Sequence, residues 1–149
     1  MSPELDDKDR LILKALREDA GQSTTRLAKR LALPRTTVHE RIVRLQEEGV
    51  IRRHTILVDH AKLGRPVTAF IFMSFASGYT DQRTLANQVA QLPGVSEVFV
   101  ISGEWDILVK VRAESLEGMG RLILDRLREM PGVGRSMTVT SFETIKEEP

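Results

Sequence analysis

Two tetrapeptides constrain the fold of this chain more than any other feature. Leu92-Pro93-Gly94-Val95 and Met130-Pro131-Gly132-Val133 repeat one pattern 38 residues apart. In each, proline cannot continue a helix and glycine supplies a left-handed turn, so a helix ends and a strand begins there. The flanking residues agree. Runs over 67–76, 95–102 and 105–111 have the alternation and β-branched content of strands, with a turn at Gly103-Glu104 and a last strand starting at Val133. Helical spacing covers about 81–92 and 116–130. The order is β-α-β-β-α-β over 67–149, the split βαβ or ferredoxin-like arrangement.

This second half predicts a further partner. Val67, Ala69, Ile71, Met73 and Phe75 share one face of the first strand, and Phe70 and Phe72 share the other. Val98 and Val100 oppose Phe99 and Ile101 in the same way. Two helices cover only one face of a four-stranded sheet, and the other would expose an apolar patch large enough to drive association. Either a second copy covers it in a closed symmetric dimer, or the N-terminal domain folds over it.

The first half reads differently. Asp6 can cap a helix, with Asp9 three residues on in a capping-box pattern, and Leu5, Ile12, Leu13 and Leu16 recur at helical spacing before Gly21. Ser23 caps a short second helix with Leu27, Ala28 and Leu31 on its apolar side, broken at Leu33-Pro34. A third helix runs over about 35–48, with Val38, Ile42 and Leu45 on one face and Gly49 as its stop. Residues 50–58 are rich in β-branched side chains and predict a hairpin, although Arg52-Arg53-His54 is a poor tight turn. Leu63-Gly64-Arg65-Pro66 punctuates the chain. The expected organisation is therefore α+β: a winged helix-turn-helix over 1–58, a linker over 59–66, and the ferredoxin-like domain over 67–149.

Charge distribution points the same way. The net charge is only +1, but residues 1–65 hold 14 Lys+Arg against 10 Asp+Glu, and residues 66–149 hold 8 against 11. A basic half joined to an acidic half suits one part facing phosphate, although scatter of surface charge would also produce it. Cysteine is absent, which excludes disulfides, thiol catalysis and cysteine-based zinc sites. His39, His54 and His60 show no metal-site spacing, and no phosphate loop, dinucleotide glycine pattern or Ser-His-Asp order occurs. The chain is thus expected not to be an enzyme and to need no metal or cofactor. No run of apolar residues is long enough to span a membrane, and the polar start lacks a signal-peptide pattern, which predicts a cytoplasmic protein.

In a helix-turn-helix the second helix of the motif reads base edges in the major groove of double-stranded DNA. With Val38, Ile42 and Leu45 inward, Arg35, Thr36, Thr37, Glu40, Arg41 and Arg44 lie on or beside the outward face, and His39 lies beside the core stripe. Arginine can bond guanine twice, threonine offers a hydroxyl and a methyl, and glutamate can accept from cytosine. Arg41 and Arg44 sit a turn further in and suit phosphates, and Arg52, Arg53 and His54 would meet the backbone from the wing.

The run Leu5-Asp6-x-x-Asp9-x-x-Ile12-Leu13-x-x-Leu16, then Leu27-Ala28, then Val38-x-x-Arg41-Ile42-x-x-Leu45-x-x-x-Gly49-Val50-Ile51, resembles the Lrp/AsnC (feast/famine) transcriptional regulators. So do Val100-Ile101-Ser102-Gly103-Glu104-Trp105-Asp106 and Pro131-Gly132-Val133 followed by Thr138. The resemblance covers nearly the whole chain. It implies homodimers that often assemble into octamers, and an amino acid or related small effector bound between subunits to modulate assembly or DNA affinity. Carried onto this chain, the effector positions are Ser102, Gly103, Trp105 and Asp106, with Glu143 on the last strand as a weaker match. Gly103 would let backbone amides approach a carboxylate, and Asp106 would either take an ammonium group or bond the backbone of its own turn. Sirohaem decarboxylases are similar to this family, but a haem-type substrate needs His in the C-terminal cavity, and that half has none. Two departures stand out. Pro34 occupies the usual place of a capping Ser, so the third helix would be capped by Thr36 or start later. Trp105 replaces a more usual Tyr, exchanging a hydroxyl for a single donor.

Overall fold

A computed structural model describes residues 4–78 and 80–147. The first three residues of the polar start, and the last two of the C-terminal range, lie outside them. The chain divides into two compact units that meet at Leu57 and Val58, the second ending at Glu147.

The first unit is built on three helices. Helix α1 (Asp7–Glu18) opens with the expected capping box: Asp9 N–H donates to Asp6 Oδ1 at 2.9 Å, and Asp6 N–H donates to Asp9 Oδ2 at 3.1 Å. Helix α2 (Thr24–Leu31) is capped by Ser23, whose Oγ accepts from Arg26 N–H. Ala32 then takes a left-handed conformation (φ 52°), and α3 (Arg35–Glu47) follows Leu33 and Pro34. Ile12, Ala15, Leu27, Ala28 and Val38 form the core, with Leu16, Leu31, Leu33 and Ile42 packed against it. These are the apolar stripes of three short helices, none long enough to persist alone in water. Arg30 also pairs with Glu18 and ties α2 to α1.

The expected hairpin is not formed. Residues 52–58 adopt neither helix nor strand in this chain. The segment instead turns back on α3: Ile51 N–H donates to Leu45 O at 2.9 Å, and Gln46 Nε2 lies 3.2 Å from His54 Nε2. The reason lies in Arg52-Arg53-His54, which supplies no residue suited to the positive φ of a tight two-residue turn.

The second unit has the expected β-α-β-β-α-β order. Strands β1 (Val67–Phe75), β2 (Val95–Val100), β3 (Ile107–Ala113) and β4 (Val133–Thr140) form one antiparallel sheet in the order β2-β3-β1-β4. Helices α4 (Gln82–Val89) and α5 (Leu116–Leu122) cover one face, α5 running on into a wider π turn over Ile123–Leu127. Leu85, Ala86 and Val89 from α4, with Met119, Ile123 and Leu127, pack on Ala69, Ile71, Met73, Ile107, Val109 and Val111. Both Pro-Gly echoes turn as expected, with Gly94 at φ +87° and Gly132 at φ +93°. At Gly94 a second reason applies: a Cβ there would lie 2.9 Å from the Arg112 carbonyl oxygen, so the close approach of turn and strand requires glycine.

Among the described residues of this unit, the opposite face carries no helix. Cross-strand pairing lines up Phe99, Leu108, Phe72 and Met137 in one row, and Glu97, Lys110, Phe70 and Val139 in the next. Phe99, Met137 and Val139 are exposed. From the Val139 row onward the face turns ionic. Arg112 Nη1 donates to Thr68 Oγ1, Lys110 Nζ reaches Glu97 at 2.9 Å and Glu147 at 2.6 Å, and Arg112 also pairs with Glu147. Burial alone would lower the Lys110 ammonium, but the Glu147 and Glu97 carboxylates outweigh it and hold its pKa above the usual 10.5. Lys110 in turn holds the Glu147 carboxyl below its ordinary range.

Candidate DNA-reading helix and effector turn

Helix α3 begins at Arg35, directly after Pro34, and no side chain caps it. The expectation that Thr36 caps it or that it starts later is therefore corrected. Pro34 is itself the N-cap, with an extended ψ of 139°, and its side chain has no acceptor to offer the amides that follow. Val38 and Leu45 are buried and Ile42 is partly so, which leaves Arg35, Thr36, His39, Glu40 and Arg44 exposed and Thr37 half-buried. His39 thus faces solvent rather than the core. Arg52 and Arg53 are exposed on the segment after Gly49.

Arg41 faces Asp6 and Asp9 rather than solvent. Its Nη1 donates to both carboxylate oxygens of Asp6 at 2.7 Å and to Asp9 Oδ1 at 2.8 Å, and its side chain is only 21% exposed. Arg44 Nη2 donates to Asp9 Oδ2 at 2.6 Å, and its Nε lies 3.8 Å from Glu48. These cations, read as phosphate contacts, instead hold the carboxylates of Asp6 and Asp9 at charge-assisted distances. The Arg41 guanidinium, with the Asp9 amide, draws the Asp6 carboxyl down from 3.8 to about 2, and Asp6 and Asp9 raise Arg41. A depressed carboxylate adds stability above its unfolded pKa and loses it as pH falls through the folded value. The N-terminal unit should therefore weaken from pH about 4 down to about 2 as Asp6 protonates. Asp6→Asn keeps a good helix cap and should flatten that part of the melting-temperature profile. Parallel acid profiles for the two proteins would contradict the assignment.

The turn between β2 and β3 collects most of the residues expected to bind an effector. Ser102 and Gly103 are exposed, and Trp105 and Asp106 are half-buried. Gly103 has φ +134°, and a Cβ there would meet nothing within 4 Å, so the glycine serves the backbone turn and leaves open space beside it. Trp105 packs on Phe72 with ring centroids 6.2 Å apart, and the Arg135 guanidinium lies 5.1 Å from the indole centroid. Arg135 also lies 3.9 Å from Glu104. Its backbone N–H donates to Ser74 Oγ at 2.7 Å, which fixes the start of β4 beside this turn.

Asp106 is a junction of the sheet. Its N–H donates to Met73 O, its carbonyl accepts from Ile101 N–H and Gln82 Nε2, and its Oδ2 accepts from Phe75 N–H at 2.8 Å. The β1–β4 register shifts between Met73 and Phe75, and the carboxylate serves the amide there. The carboxylate thus bonds backbone, but that of β1 rather than of its own turn. Glu143 requires a correction: it lies beyond β4, which ends at Thr140, and its carbonyl accepts from Ser141 Oγ. The chain leaves the ladder at Ser141, whose N–H donates to Thr68 O at the far end of β1 from the turn. Within one chain the fold therefore keeps Glu143 away from Ser102 and Gly103.

Residues 5–52 match the winged helix-turn-helix DNA-binding family, and residues 68–149 match the Lrp/AsnC ligand binding domain. The chain belongs to the Lrp/AsnC family of transcriptional regulators. An uncharacterised HTH-type transcriptional regulator of Pyrococcus abyssi is 49% identical over 150 residues, covering 99% of each chain. The HTH-type transcriptional regulator FL11 of Pyrococcus horikoshii is 33% identical over 143 residues, 96% of this chain and 93% of its own. A transcriptional regulator of Neisseria meningitidis, solved as a complex with L-methionine, matches with a TM-score of 0.91 and 26% identity, over 97% of this chain and 94% of that one. This Lrp/AsnC regulator thus joins a winged DNA-binding domain to a ligand-binding domain, and among the described residues no helix is long and apolar enough to cross a membrane.

Two features of the regulator escaped the sequence reading. The sequence does not mark Arg135, because nothing in Gly134-Arg135-Ser136 says which turn the start of β4 adjoins. The Asp6–Arg41 and Asp9–Arg41–Arg44 pairs were legible in principle. Asp6-x-x-Asp9 and Arg41-x-x-Arg44 carry opposite charges at one spacing, which places each pair on a single helix face.

Proposed function

We propose that this regulator binds double-stranded DNA as a homodimer, with α3 in the major groove and a small effector held at the 102–106 turn. The exposed N-terminal face of α3 carries the reading. Arg35, Thr36, Thr37 and Glu40 are assigned to base edges, with His39 beside them, and Arg52 and Arg53 to phosphates. Pro34 leaves the first amides of α3 without a side-chain cap, which favours a phosphate at that end. Arg41 and Arg44 belong chiefly to the pairing with α1. Packing of two open sheet faces supplies the dimer, and assembly into octamers is a further step of the same reading. The residence of the chain in the cytoplasm and the lack of enzymatic activity belong to this reading as well.

At the effector turn, Ser102, Gly103 and Trp105 frame the open space, with Arg135 stacked on the indole. A guanidinium and turn amides suit a carboxylate, and an indole face suits an apolar side chain or an ammonium. An amino acid carries these groups, and the Neisseria regulator was solved with one. Asp106 shapes the turn by holding Phe75 and takes an ammonium with whatever of its carboxylate remains available.

Retardation of a duplex enriched by this protein from a randomised pool, at two salt concentrations, tests the DNA reading. Binding should fall steeply with salt. Arg35→Ala should reduce discrimination between sequences by roughly 5- to 150-fold, the equivalent of about 1–3 kcal/mol, and Thr37→Ala, which removes a single hydroxyl and methyl, by less. Arg53→Ala should weaken all sequences alike and lower the salt slope by about 1. Equal loss of discrimination in all three variants would overturn the assignment. A thermal-shift series against the twenty amino acids, repeated on Arg135→Ala, tests the effector turn.

A further inference from the structure

We propose that Asp9 is a positioning residue for DNA recognition, holding α3 at the rotation in which its first turn meets base edges. The proposal rests on DNA binding through α3. Asp9 itself lies on α1, and its side chain is fully buried. One oxygen takes Arg41 at 2.8 Å and the other takes Arg44 at 2.6 Å. Asp6 holds Arg41 from the same side, and each of the two aspartates accepts from the other's backbone amide. The carboxylates are therefore locked to the first turn of α1 before they reach α3, so the cations of α3 meet a rigid partner.

Directionality is the reason this matters for recognition. The stripe Val38, Ile42 and Leu45 holds α3 to the core through apolar contact, which is non-directional and tolerates a roll of the helix. Charge-assisted bonds from one carboxylate to two guanidiniums one turn apart do not. A helix with its side chains has a radius of about 5–6 Å, so a roll of roughly 10° shifts an outward tip by about 1 Å. That is enough to break a bidentate contact to a base while leaving contact with the phosphates. Positioned this way, Arg41 and Arg44 act on sequence discrimination without touching the duplex.

The alternative, that both arginines leave Asp9 for phosphates on DNA, predicts opposite changes. The test is a salt series of mobility shifts on the pool-enriched duplex and on a mixed-sequence duplex of equal length, with Asp9→Asn, Asp9→Glu and Arg41→Met. Helicity and melting are recorded for each, below the melting transition. Asp9→Asn should lower discrimination at least 10-fold. It should bind mixed sequence as well as the parent or better, with a salt slope steeper by about 1 or more because cations are released to phosphate. Asp9→Glu, which keeps the charge but moves it, should lose discrimination at an unchanged slope. Arg41→Met should also lose discrimination at an unchanged slope. A general loss of stability would lower binding to both duplexes together and would not steepen the slope. Unchanged discrimination in Asp9→Asn would overturn the proposal. So would an Arg41→Met protein with a slope shallower by about 1 and equal weakening on both duplexes. If Asp9→Asn loses its helix signal, Arg41→Met decides alone, since Arg41 is partly exposed. Absence of salt-dependent retardation by the parent protein would instead refute DNA binding itself, which separates the two failures.

Discussion

Cutting Ile71 back to alanine should strip about 2–5 kcal/mol from the ligand-binding unit. Ile71 has no exposed surface and lies mid-strand on β1, paired with Val109 on β3 and Thr138 on β4. Its side chain points into the layer filled by Leu85, Val89, Met119 and Ile123. A central strand held by ladders on both sides cannot move inward to fill the gap, so the lost contacts and the cavity add. Folded domains have only about 5–15 kcal/mol in total, so the loss is a large share. For a unit of this size it lowers the melting temperature by about 10 °C or more, at roughly 4–8 °C per kcal/mol. Calorimetry should show that unit's transition moving. Leu124→Ala, at a side chain 54% exposed, should change stability by no more than about 0.5 kcal/mol. An Ile71→Ala protein melting within about a degree of the parent would mean that the helix layer does not seal on β1.

How much was legible follows from which signals are local. The Pro-Gly echoes and the period-2 strands depend on neighbours in sequence, and they placed β1, β2, β3, β4 and both helices of the second unit closely. The caps at Asp6 and Ser23, and the stop at Gly49, are equally local and appear as expected. The misses are all long-range or depend on an unseen partner. Residues 52–58 have the composition of strands, but a strand needs a ladder, and no turn residue there supplies one. Arg41 looked like an outward cation because a single-helix projection cannot show that α1 brings Asp6 and Asp9 to meet it. Asp106 was correctly placed at the turn, yet its duty toward Phe75 comes from the register shift in β1, which no periodicity reveals. Glu143 falls outside β4 for a related reason: the alternation marks where the strand starts at Val133 but not that the ladder stops at Thr140. Family resemblance supplied the turn proposed to hold an effector, and the geometry of that turn adds Arg135 to the proposal.

On the pairing proposed above, replacing Met137 and Val139 together by glutamate should convert the regulator to single chains and cost most of its affinity for a two-half-site duplex. Both side chains lie on the sheet face that carries no helix, at 42% and 45% exposure, in rows with Phe72, Leu108, Phe99 and Phe70. Because they are exposed on one chain, charges there leave its own core untouched. In a two-fold dimer packed through this face, every substitution occurs twice on the same patch. The carboxylates would lose water between sheets about 10 Å apart and face like charges across the axis. Sedimentation at micromolar concentration should then report one chain where the parent reports two or more. Loss of the second reading helix removes the avidity of a linked pair, so affinity for a duplex with two half-sites should fall by about 100- to 10,000-fold. Affinity for a duplex with one half-site should stay near the parent value, and that equality separates lost pairing from misfolding, which weakens both. A Met137→Glu, Val139→Glu protein that still sediments as a dimer would place the interface on another surface and leave this apolar face without the partner assigned to it.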